Sequence, residues 1–72
     1  MRNEHARRLS TLMESRKISL VLDVGPNAGQ FGQFLRVDVG YHGQIVSFEP
    51  LADAYAKLQR LTSIDSRWSS AT

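Results

Sequence analysis

Cysteine is absent from all 72 residues. That excludes a disulfide staple, a thiolate metal site, a haem attachment motif and a catalytic thiol. Long apolar runs are absent too. Nothing approaches the roughly 20 residues that cross a bilayer, and the opening MRNEHARRLS has no apolar core of a secretory signal. A cytoplasmic polypeptide without a membrane span is the expectation. A chain this short buries a small share of its surface, so it holds one domain at most and its core is marginal.

Net charge is small, +2, and its excess is local. Residues 1–17 carry five basic side chains against Glu4 and Glu14, whereas residues 18–72 carry four basic and five acidic ones. No aromatic side chain is interleaved with the early arginines to stack on bases. Residues 1–17 therefore read as an amphipathic helix with a solvated basic face, and no nucleic-acid partner is expected. His5 and His42 have no second histidine or paired carboxylate at ligand spacing, so both read as solvated side chains and no metal site is expected.

What is present is an alternation of helix and strand patterns. Ala6, Leu9, Leu12 and Met13 form one stripe of a helix running from Glu4 to Arg16. Ile18 to Val24 is a nearly continuous apolar run, as in a parallel strand covered on both faces. Gly25-Pro26-Asn27-Ala28-Gly29 is a dense turn signal. Gln30 to Val37 reads as a second helix with Phe31, Phe34 and Leu35 on one face, weakened at Gly32. Gln44 to Glu49 reads as a second strand, ended by Pro50, which suits the first turn of a third helix striped by Leu51, Ala54, Tyr55, Leu58 and Leu61. Phe31, Phe34, Phe48 and Trp68 read as core residues.

The expected fold is α/β: a right-handed βαβ unit with two parallel strands and three helices, its core spanning residues 18–68, followed by a polar tail at 69–72. Two such strands leave two unpaired sheet edges, although their composition is that of interior strands. The unit thus reads as the opening part of a doubly wound domain.

The chemistry concentrates in Asp23-Val24-Gly25-Pro26-Asn27-Ala28-Gly29. A strand delivers this loop and a helix leaves it, at the carboxyl edge where open α/β sheets bind ligands. Gly25 lets the turn take positive φ and lets a ligand lie against the backbone. Gly29 opens the helix and exposes its amides. Asn27 can brace the turn or offer its amide to a ligand. Asp23 is an acceptor for a cationic or donor-rich group. Glu49 closes the next strand beside this loop, where an acid can accept both hydroxyls of a ribose.

Spacing sorts the ligand classes. A phosphate-binding Walker loop fails, because the second glycine comes one residue early and Gln30 replaces the lysine. The dinucleotide fingerprint fails as well, since the glycines fall at 25, 29 and 32, which disfavours a nucleotide-binding fragment of the NAD type. Asp-x-Gly-x-x-x-Gly with an acid at the next strand end instead resembles the first two motifs of class I, Rossmann-like S-adenosylmethionine-dependent methyltransferases.

The resemblance extends through Leu22 to Phe31, Leu35-Arg36, Gly40-Tyr41, Gly43 to Leu51, Asp65 and Trp68, and over this stretch the chain resembles the start of the FkbM family. That resemblance implies a partial Rossmann-like fold, S-adenosylmethionine as cofactor, and methyl transfer to a hydroxyl acceptor on a glycan, glycolipid or polyketide. It implies that Asp23, Gly25, Asn27 and Gly29 line the methionine part of the cofactor, that Glu49 holds the ribose, and that Pro50 and Leu51 lie near the adenine. Position 26 is proline where the family usually has alanine, which either stiffens the loop or removes one donor.

Family members continue past the tryptophan into a third strand, an adenine-reading residue and an acceptor pocket. The expectation for these 72 residues is therefore a truncated, cofactor-binding portion with no independent turnover and no assignable catalytic residue. The alternative is a non-catalytic interaction module that self-associates or pairs with another chain through its open sheet edge.

Overall fold

A computed structural model describes residues 3–25 and 27–72. Pro26, and with it the expected effect of a proline in the loop, lies outside the described residues.

Helix α1 spans Glu4–Ser15. It starts where Asn3, in extended conformation, accepts the Ala6 N–H on its side-chain oxygen at 2.7 Å, satisfying one of the first-turn donors. It stops through paired backbone bonds, Ile18 N–H to the Met13 carbonyl and Lys17 N–H to that of Glu14. This closure needs a left-handed residue, and Lys17 supplies it at φ +53°. Ala6 and Met13 are buried and Leu9 half-buried, but Leu12 is exposed, so the buried stripe is narrower than the sequence pattern.

Strand β1 (Leu20–Val24) pairs in parallel with β2 (Gln44–Phe48), which pairs in parallel with β3 (Trp68–Ala71), giving the order β1-β2-β3. Helix α2 (Ala28–Gln33) runs directly into a π-helical segment, Phe34–Val39, and α3 spans Ala52–Thr62. The described residues thus form an α/β unit with three α-helices and a parallel sheet.

The sheet has three strands where the sequence pattern predicts two, and residues 69–71 are strand rather than polar tail. Their side chains are small and polar, so no apolar alternation marks them. The strand is held instead by main-chain bonds, Ile45 N–H to the Arg67 carbonyl and Glu49 N–H to that of Ala71, and by the anchoring of Trp68.

Consecutive parallel crossovers in one direction land on one face of a sheet. Here that face carries Val21, Asp23, Ile45, Ser47 and Trp68, packed beneath α2 and α3. Ile45, Leu35, Leu58 and Val39 form its fully buried centre, each contributing about 1.5–3 kcal/mol by removal from water. The opposite face is bare: Leu20, Leu22 and Val24 are 50, 63 and 74% exposed. β1 is therefore covered on one side only, a correction to the two-sided burial its composition predicts. Of the aromatic residues expected in the core, Trp68 is buried, Phe34 is half-buried, and Phe31 and Phe48 are exposed.

Arg36 ties the last crossover down. Its guanidinium donates to Asp65 Oδ2 at 2.7 Å, to the Tyr41 carbonyl at 2.8 Å and to the Arg67 carbonyl at 2.9 Å, and it lies over the Tyr41 ring. One side chain thus joins the π-helical segment, the loop before β2 and the turn before β3.

Candidate functional site

Because all three strands are parallel, their carboxyl ends share one edge. At the end of β1, Gly25 takes φ +127°, and a Cβ built there would meet nothing within 4 Å. The backbone is therefore both turned and open to an approaching group. Asn27 follows at φ +64°, in the left-handed region, exposed and with no side-chain capping bond. Its carbonyl accepts the N–H groups of Gln30 and Phe31, so two first-turn amides of α2 are already engaged. Gly29 packs close to α3: a Cβ there would sit 3.0 Å from the Leu61 Cδ1 methyl, which would have to shift slightly to admit it.

Glu49 follows β2 and is buried, with Oε2 accepting the Leu51 N–H at 3.2 Å. Among the described residues no lysine or arginine pairs with it. A buried carboxylate without a cation is a ready acceptor for neutral donors such as hydroxyls. Asn27, Gly29 and Glu49 meet in a cleft of about 240 Å³ between α2 and α3, which Gln30, Gln33 and Lys57 also line. Asp23, Gly25, Pro50 and Leu51 do not line that cleft. Pro50 and Leu51 are exposed at the same edge.

Asp23 is buried at the upper end of β1, facing Ser47 across the strand register. Desolvation raises its pKa above the ordinary aspartate value, and the bond from Ser47 partly offsets this. Ser47 Oγ donates to Asp23 Oδ2 at 3.0 Å and accepts the Trp68 Nε1–H at 3.0 Å. The sequence pattern does not single Ser47 out. Its only signal is a hydroxyl inside Ile45-Val46-Ser47-Phe48, on the same strand face as Glu49 two residues later.

No protein-family model, curated protein or solved structure matches the chain. Among the described residues, no group of three or more His, Asp or Glu could hold a metal ion, and no helix is long and apolar enough to cross a membrane.

Proposed function

We propose that this chain holds S-adenosylmethionine at the carboxyl edge of its sheet, as the cofactor-binding portion of an FkbM-type, Rossmann-like methyltransferase acting on a hydroxyl acceptor. The observation that carries the reading is the conjunction of an open, left-handed Gly25 at the end of β1 with the buried Glu49 at the end of β2, which forms no ion pair among the described residues. Glu49 accepts the ribose hydroxyls, Pro50 and Leu51 flank the adenine, and Asp23, Gly25, Asn27 and Gly29 line the methionine part. The cofactor carries no pyrophosphate, so the loop needs no glycine at the position of Asn27. When bound, the cofactor supplies an electrophilic methyl group; the chain's own residues bind and orient it. Transfer further requires an acceptor oxygen held in line with the methyl, and no catalytic residue is assigned to this chain.

Amide chemical-shift mapping with S-adenosylmethionine and, separately, NAD tests the reading. Perturbations centred on Gly25, Asn27, Gly29 and Glu49, stronger with S-adenosylmethionine, support it. A stronger response to NAD contradicts it.

β1 favours a second reading, an interaction module. Among the described residues its outer edge has no neighbouring strand, and Leu20, Leu22 and Val24 are exposed beside it. The occupant proposed is a second copy: a two-fold axis would set two β1 edges antiparallel and join two three-stranded sheets into one. Sedimentation at rising concentration distinguishes the readings, since a dimer abolished by Leu22→Pro supports the module and a monomer throughout contradicts it.

A further inference from the structure

Asp23, Ser47 and Trp68 lie on three different strands and are 8, 0 and 6% exposed. The bonds joining them are 3.0 Å each. Their direction is fixed by chemistry. An indole N–H can only donate, so Ser47 Oγ is the acceptor in that bond and its single proton is left for Asp23. The chain of donors therefore runs one way, from β3 through β2 to the carboxylate on β1. Burial denies water access to replace any member, and bonds in series polarise one another.

Other charges do not compete for Asp23. Helix α2, packed over β1 and β2, carries no charged residue from Ala28 to Gln33, and neither does β3 from Trp68 to Ala71. Among the described residues the further carboxylate on this face is Glu49, two residues beyond Ser47, which accepts the Leu51 N–H on Oε2 and makes no bond to Ser47 or Asp23. The indole is itself held: Gly32 of α2 lies against it, and a Cβ at that position would be 2.6 Å from Trp68 Cε2.

We propose that Ser47 and Trp68 are positioning residues for Asp23, fixing the orientation of its carboxylate at the ligand edge through a one-way relay across all three strands. The functional part of this rests on the reading of Asp23 as a cofactor-lining residue. Trp68 does not line the cleft of Asn27, Gly29 and Glu49; it acts through Ser47, and its identity as tryptophan rather than another large apolar residue is explained by the N–H it contributes.

Trp68 is the single tryptophan, so its indole N–H gives one unambiguous NMR resonance. The experiment follows that resonance and the Asp23 carboxyl carbon against pH in the full, unsubstituted chain. It is then repeated in Trp68→Phe, which keeps an aromatic ring against Gly32 and removes only the donor, and in Asp23→Asn. The expected result is one shared midpoint, absent from the indole in Asp23→Asn and moved upward for the Asp23 carboxyl in Trp68→Phe. S-adenosylmethionine binding should weaken about fivefold in Trp68→Phe. An indole that ignores Asp23, or an unmoved midpoint in Trp68→Phe, overturns the relay. A shared midpoint in a chain that S-adenosylmethionine fails to perturb supports the relay and overturns the cofactor reading instead.

Discussion

Gly32 lies close against the indole of Trp68: a Cβ at position 32 would run into Cζ2 and stand 2.6 Å from Cε2. Helix propensity alone favours alanine over glycine by about 1 kcal/mol, yet here the close approach of α2 to β3 decides the residue. Gly32→Ala is expected to destabilise the fold by roughly 2 kcal/mol through overpacking, read as a lower urea midpoint. A neutral or stabilising alanine would mean that the helix does not sit on Trp68 in solution.

Lys17 has the opposite problem. It holds φ +53° to close α1, where a side chain is strained, and it is exposed. Lys17→Gly should stabilise the chain by about 0.5–1 kcal/mol, visible as an increase in Tm. A loss of stability would show that the side chain contributes more than the strain costs.

The Arg36–Asp65 pair gives a signed pH dependence. The hydrogen bond from Arg36 lowers the Asp65 pKa below its ordinary 3.8, so the stabilisation is fully present above that value. It is lost as pH falls through the folded-state value. Asp65→Asn should cost roughly 1–2 kcal/mol at pH 7, and the gap to the parent should narrow in urea titrations below pH ~4. Asp23 acts with the opposite sign. Burial raises its pKa, so its ionisation opposes folding at neutral pH and that penalty is relieved on acidification.

The two faces of the sheet should respond differently to substitution by a small residue. Ile45 is fully buried, and Ile45→Ala is expected to cost about 2–5 kcal/mol. Leu22, on the bare face, is expected to tolerate Leu22→Ser within about 0.5 kcal/mol. Similar losses at both positions would indicate that the bare face is covered in solution.

The legible parts of the fold were those with periodic side chains. The stripe of α1, the apolar run of β1 and the glycine turn after it are legible because apolar periodicity and turn chemistry mark them, even though Leu12 and one whole face of β1 are exposed. β3 could not, since Ser69, Ser70 and Ala71 present no alternation and the strand depends on main-chain pairing with β2 and on contacts made by Arg36 and Trp68 from afar in sequence. Phe31 and Phe48 mislead for a related reason: both are apolar but exposed, Phe31 on α2 and Phe48 on the bare face of β2. At the candidate site, Asn27, Gly29 and Glu49 are gathered in one cleft, whereas Ser47 was hidden because only the strand register brings it to Asp23.

The central claim is that the carboxyl edge between Gly25 and Glu49 receives S-adenosylmethionine. Amide shift mapping of the intact chain with that cofactor, alongside Glu49→Gln, tests it most directly. The account predicts saturable perturbations at Gly25, Asn27 and Glu49, with binding weakened about tenfold or more when the Glu49 carboxylate is removed. Perturbations elsewhere, none at saturating cofactor, or an affinity unchanged in Glu49→Gln would contradict it.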